Sequence, residues 1–291
     1  MFLNIIQILN RPWLIEESQA QYWADVANKV LFHNQAFPVD PNAHKAYSWG
    51  EEKKYAYRVD STATRNPKGE VLVLEVKGPL MKSDYCGAPG METLAQVVEA
   101  ATMDPEISSI IARIDSPGGT VDGTHNLARA IARSPKATVA FGNGMMASAA
   151  YWIGSSFREV ISDDANAGHN ALIGSIGTKV TILDDRKAME QKGYTVRHVY
   201  ATKSKRKGAY MDEVYSGKDE RLQNELDAIN ETFLADVESN RAGKLKPRLE
   251  NVLEGDVYNA QDALRFGLID KISNFRYAVK RSLQLAKTIR K

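Results

Sequence analysis

Short apolar runs and longer amphipathic stretches take turns along this chain. Residues 71–76, 107–114 and 137–141 are dense in valine, isoleucine and other apolar residues and are bounded by glycine, proline or polar residues, a pattern that predicts buried strands. Residues 91–101 and 121–133 carry apolar side chains at helical spacing, the second run stopped by Ser134-Pro135. Further strands are predicted at 159–162, 178–183, 195–200 and 268–272, and helices at 184–192, 219–240 and 259–265. In 219–240, Leu222, Leu226, Ile229, Phe233 and Val237 form an apolar stripe. Strands separated by helices imply an α/β fold of repeated βαβ units with a mainly parallel sheet.

Ahead of this alternation lies a different region. Residues 17–32 have an amphipathic helical pattern through Trp23, Val26, Ala27, Val30 and Leu31. Residues 37–66 are polar, turn-rich and aperiodic, an expected linker or arm whose aromatics (Tyr47, Trp49, Tyr55, Tyr57) can pack on the main domain or on a neighbouring subunit. The expected division is an N-terminal helical and irregular arm over 1–66, a main domain over 67–275 and a basic C-terminal helix over 276–291.

Composition narrows the function classes. The net charge of +2 supplies no field for nucleic acid, and the basic C-terminal run is explained by a solvated helix face. One cysteine, Cys86, excludes an internal disulfide and fits a reducing compartment. No run approaches the ~18 uninterrupted apolar residues that a membrane span needs, and residues 1–13 lack the basic start of a secretory signal. A cytoplasmic chain without membrane contact is expected.

Four stretches could carry chemistry. Gly144-Met145-Met146-Ala147-Ser148-Ala149-Ala150-Tyr151-Trp152 follows the strand at 137–141, with Gly142, Asn143 and Gly144 as an expected turn. A serine at a strand-to-helix turn exposes its hydroxyl where a helix N-terminus favours developing negative charge; the plainer account is a buried helix that needs a small residue there. Asp115-Ser116-Pro117-Gly118-Gly119, expected as a tight loop opening a helix, offers backbone amides to an oxyanion or phosphate. It lacks the Lys-Ser/Thr ending of a P-loop. A serine nucleophile needs a base. The candidates are His169, or a lysine in the loop holding Lys203, Lys205 and Lys207, since desolvation frees a lysine amine to accept a proton. Gly174-Ser175-Ile176-Gly177 adds a small turn with a hydroxyl.

In order and spacing, these stretches resemble the signal peptide peptidase A (protease IV-like) serine peptidases, including their phage-encoded capsid-assembly branch. The matching motifs are Ser116-Pro117-Gly118-Gly119, Ala147-Ser148-Ala149-Ala150-Tyr151, Gly174-Ser175-Ile176-Gly177, the lysine loop with Ala201, Lys203 and Lys205, and Val257-Tyr258 followed by Ala263 and Gly267-Leu268-Ile269-Asp270. The resemblance implies a Clp/crotonase-like fold and an oligomer. It implies Ser148 as nucleophile, Lys205 as general base, Ser175 as the group orienting the lysine, and an oxyanion hole from the amides of Ala149 and of Gly119 or Gly118. It implies no metal and no cofactor. The implied substrates are phage scaffold or capsid proteins, presented as extended peptides. Two departures stand out: Ala149 and Ala150 replace the family's glycines after the nucleophile, and no stretch reads as the membrane anchor of the cellular enzymes, so the phage-type branch is expected. The competing schemes are a Clp-type Ser-His-Asp peptidase using His169, a crotonase-like acyl-CoA enzyme, and a catalytically silent assembly protein.

Overall fold

The three apolar runs lie side by side as the centre of the sheet. A computed structural model describes residues 13–15, 46–49, 54–56, 71–84, 89–163, 171–182, 184, 186–195, 197, 199–204, 206–246 and 251–289, with the backbone alone for 13–15, 46–49 and 54–56. β4 (Val71–Lys77), β5 (Ser109–Ser116) and β7 (Ala137–Ala147) pair in parallel, Leu72 opposite Ile110 and Ile110 opposite Thr138. Successive side chains take opposite faces of a strand. Leu72, Leu74, Ile110 and Ile114 therefore enter one core, while Val71, Val73, Ile111, Val139 and Phe141 enter a second. Burial on both faces is why these strands read as continuous apolar runs.

Helices cover both faces. α1 (Met91–Met103), α2 (Thr124–Ala132), α3 (Ala149–Ser155), α6 (Glu220–Asn240) and α7 (Ala260–Phe266) contribute to the first core. The C-terminal helix α8 (Phe275–Ile289) lays Ala278, Phe275, Tyr277, Val279 and Leu283 on the second. The sheet order is β10 (Val257–Tyr258), β9 (Leu172–Gly174), β7, β5, β4, β2 (Ala46–Trp49), β3 (Lys54–Ala56), with β8 (Glu159–Asp163) also on β7 and β11 (Lys271–Ser273) on β8. All pairs among β4, β5, β7, β8, β9 (Leu172–Gly174) and β11 are parallel, as the βαβ pattern predicts. The remaining helices, α4 (Arg186–Gln191) and α5 (Ala209–Tyr215), bury one residue between them, Val214.

Several expectations give way to tertiary pairing. The stretch read as a linker contributes β2 (Ala46–Trp49) and β3 (Lys54–Ala56), an antiparallel hairpin extending the sheet from β4. The expected loop at 115–119 is the end of β5 followed by β6 (Gly118–Thr120), which pairs antiparallel with β1 (Trp13–Ile15). The expected turn at 142–144 lies inside β7, because parallel neighbours on both sides carry the strand through it. The described residues of 178–183 and 195–200 belong to no strand beyond a single bridge at Lys179, and from 181 on they are exposed. The last strand begins at Lys271 rather than at 268. The helix expected at 17–32 lies outside the described residues.

Candidate active site

β7 serves two neighbours in succession. Val139–Gly142 pair with β8, and Met145–Ala147 pair with β9. The strand must bend between them, and it does so at Gly144, with φ of 151°. A Cβ there would come 2.6 Å from Asp115 Oδ1, the atom that accepts the Met145 N–H at 3.0 Å. Only glycine admits both the angle and the approach.

Past the bend, β7 ends at Ala147 and Ser148 follows as the cap of α3. Its φ and ψ, 54° and −122°, fit neither strand nor helix, and its N–H donates to the Gly174 carbonyl at 2.8 Å. Such a conformation in a non-glycine residue costs on the order of 1–3 kcal/mol and persists only where the surroundings impose it. The imposition comes from α3. This seven-residue helix is too short to hold itself, and it is fastened at three points. Tyr151 donates its hydroxyl to the Leu268 carbonyl at 2.9 Å, Trp152 Nε1 donates to Asp236 Oδ2 at 2.8 Å, and the Trp152 ring stacks on Phe233 at 4.6 Å. Asp236 Oδ2 also accepts from His125 Nδ1 at 3.0 Å. Burial pushes the Tyr151 phenol above its usual range and keeps it a donor.

Ser175 directly follows the neighbouring strand, β9. Ala147 is opposite Gly174, so Ser148 and Ser175 follow side by side one residue further along parallel strands ~4.8 Å apart. Ser175 has φ of 51° and donates its N–H to the Asp256 carbonyl at 2.7 Å. Among the described residues, these two serines are the non-glycine positions with positive φ.

The glycine pair lies on the other side of Ser148. Ser116 is opposite Met146 on β7, so Gly118 and Ser148 each lie two residues past that pair. The buried Ser116 hydroxyl donates to the Gly78 carbonyl at 2.6 Å and accepts the Gly118 N–H at 3.2 Å. That engages the Gly118 amide. Leu80 takes the Gly118 carbonyl at 2.8 Å and the Thr120 amide at 2.9 Å, leaving Gly119's own amide directed to the opposite edge. A Cβ on Gly119 would collide with the Leu80 carbonyl. Ala149, fully buried, opens α3 and has an amide with no partner inside the helix.

Residues 130–289 match peptidase family S49. The chain belongs to that family. Protease 4 of Salmonella typhi is 26% identical over 270 residues, 91% of this chain and 41% of its own length. Capsid assembly protease C of Escherichia phage lambda is 27% identical over 217 residues, 72% of this chain and 48% of its own. The chain thus spans less than half the length of either relative. Among solved structures, a mutant of the 1510-N membrane-bound stomatin-specific protease in complex with a substrate peptide superposes with a TM-score of 0.47 at 16% identity, covering 75% of this chain and 81% of that one.

The S49 match takes in Ser148, Ser175 and the lysine loop, whereas Gly118 and Gly119 precede it. Ser148, Ser175, Gly118, Gly119 and Ala149 converge at the ends of β5, β7 and β9. Lys205 and His169 lie outside the described residues, and the flanking Lys203 and Lys207 are exposed. Among the described residues, no helix is long and apolar enough to cross a membrane.

Sequence reasoning missed three groups that hold the site. Asp115 fixes the bend of β7 through its carboxylate, and the one available signal was its place beside the Ser-Pro-Gly-Gly motif. The Asp256 carbonyl fixes Ser175 and has no signature, since it is main chain. Arg241, fully buried, bonds Asp270 through Nη1 at 2.7 Å and the Gly267 carbonyl through Nε at 3.0 Å. Asp270 also accepts the Val160 N–H at 2.7 Å and meets Lys244 Nζ at 2.7 Å. This cluster ties α6 to β8 and to the segment that receives the Tyr151 hydroxyl.

Proposed function

We propose that this chain is a serine endopeptidase with a Ser148–Lys205 dyad. The observation that carries the reading is the pair of positive-φ serines, Ser148 and Ser175, each directly after the end of one of two adjacent parallel strands. Strain of this kind collects where a side chain must be aimed. In the proposed reaction the neutral Lys205 amine takes the Ser148 proton as Oγ attacks the scissile carbonyl. The amides of Gly119 and Ala149 receive the oxyanion. Gly119 is preferred over Gly118: the Gly118 amide is held by Ser116 within its own turn, whereas the Gly119 amide faces the edge of β6 where β1 pairs and a peptide could pair in its place. The lysine ammonium returns its proton to the departing amine. Water, deprotonated by the same lysine, then cleaves the acyl-enzyme. Ser175 accepts a hydrogen bond from the lysine and holds it toward Ser148. No metal or cofactor enters this scheme.

The substrates on this reading are extended segments of phage scaffold or capsid proteins, met in the host cytoplasm or the prohead. The likeness to capsid assembly protease C supports that class. A homo-oligomer belongs to the same proposal: Tyr194, Val199 and Tyr200 are 60%, 78% and 41% exposed, an apolar surface that a second copy would cover. The test is incubation of the purified protein with candidate capsid and scaffold proteins, wild type beside Ser148→Ala, with fluorophosphonate labelling of Ser148 in parallel. Cleavage and labelling by the wild type alone are expected; cleavage by the variant at the wild-type rate overturns the reading.

A further inference from the structure

β6 is bonded along both edges. On one side Leu80 holds the Gly118 carbonyl and the Thr120 amide. Alternate residues of a strand send their main-chain groups to opposite edges, so the amide and carbonyl of Gly119 face the other way. β1 lies there, antiparallel, with Leu14 opposite Gly119 and Ile15 opposite Gly118. Leu14 is therefore the hydrogen-bonded partner of Gly119, with its carbonyl at the Gly119 N–H and its own N–H at the Gly119 carbonyl. That amide is the one the proposed reaction assigns to the oxyanion.

The direction of β1 matters as much as its place. The strand runs from Thr120 toward Gly118, and Gly118 is the end of β6 nearest Ser148. β1 thus advances its C-terminal end toward the serine, as the acyl side of a peptide does when it brings a carbonyl to a nucleophile.

We propose that Trp13–Ile15 is a built-in competitor for substrate: it occupies the edge of β6 that an extended peptide must take, and the peptide binds by displacing it. The class of the displacing ligand, an extended peptide, rests on the peptidase reading; the strand exchange does not require cleavage. Strand addition draws affinity from main-chain bonds, so a peptide making the same bonds competes on equal chemistry. It is handicapped by the effective concentration of a tethered strand, which reaches the millimolar range for short linkers.

The test uses the full chain carrying Ser148→Ala, so that bound peptide stays intact, and a fluorescein-labelled synthetic peptide of residues 9–20 read by anisotropy. Leu14→Pro removes the N–H that Gly119 accepts and disfavours the strand; at least 10-fold tighter peptide binding than the parent is expected. Leu14→Ala keeps every main-chain group and should bind within 2-fold of the parent. Equal affinity of Leu14→Pro and parent overturns the proposal. A second measurement needs no variant at position 14: saturating peptide should raise hydrogen exchange at residues 13–15, and unchanged protection there overturns the proposal too. Cleavage of the same peptide by the Ser148 form separates the two readings. Binding that displaces β1 without cleavage defeats the peptidase reading alone, and cleavage with no gain in Leu14→Pro defeats the strand exchange alone.

Discussion

Ser148 is almost wholly buried, and its amide, its helix and the strand on either side are each bonded to a different part of the chain. Every described residue from 190 to 208 is exposed. There the main-chain bonds are local turns, Ser204 N–H to the Ala201 carbonyl at 2.8 Å and Lys207 N–H to the Ser204 carbonyl at 3.0 Å. One half of the proposed dyad is thus set by long-range packing, whereas the described residues flanking Lys205, the other half, make short local contacts. The difference bears on chemistry. A serine is aimed by backbone strain, which a single chain supplies. A lysine becomes a base by desolvation; the described neighbours of Lys205 are exposed, and on the proposed reading a second copy or bound peptide completes the cover.

The strongest way to break the comparison is to remove the aimed group. Ser148→Ala should lower cleavage by about 10⁴-fold or more and leave the thermal midpoint near the wild-type value. Retained cleavage would mean that the strained turn serves packing alone. On the loop side, Lys205→Ala should abolish single-turnover cleavage, Lys203→Ala and Lys207→Ala should weaken it modestly, and His169→Ala should be nearly silent. An inactive His169→Ala beside an active Lys205→Ala would move the base to the histidine.

The buried half should also answer to changes far from Ser148. Removing one partner of a buried ion pair costs about 3–5 kcal/mol, so Asp270→Asn should shift the urea midpoint sharply, with slower fluorophosphonate labelling as Tyr151 loosens. Burial raises the Asp270 pKa, but hydrogen bonds and charge from Arg241, with Lys244 and the Val160 N–H, outweigh it and hold the carboxyl below its usual range. Its folded value lies below its unfolded one. The stabilisation is therefore complete above the unfolded value near 3.9 and is lost as pH falls through the folded one. Wild-type thermal midpoints should drop more steeply than those of Asp270→Asn as pH is lowered below about 4; parallel curves would remove the pair from the stability of this half.

The smallest expected effect belongs to the exposed half. Val199 is largely exposed, so Val199→Asp should leave the unfolding free energy of a dilute, dissociated sample within about 0.5 kcal/mol of wild type. In concentrated samples it should lower the mass measured by light scattering. An unchanged oligomeric mass would show that this surface is not what joins the copies.

Much of this molecule was legible in its residues, because the information was local. The apolar runs at 71–76, 107–114 and 137–141 are strands wherever two faces are buried, and the 219–240 stripe is a helix because its period leaves no alternative. Ser148, Ser175 and the glycine pair could be named from small-residue motifs, since close backbone approach admits few residue types. What local pattern could not decide was pairing between distant segments. Gly142, Asn143 and Gly144 form a turn by composition, yet β8 and β9 together make them strand. Gly118 and Gly119 form a loop by composition, yet Leu80 on one edge and Leu14 on the other make them strand. Arg241 resembles any surface arginine until Gly267 and Asp270 close around it. A hydrogen-bonding edge has no residue code: main-chain groups are the same at every position, so their partners were decided only when the tertiary structure brought the segments together.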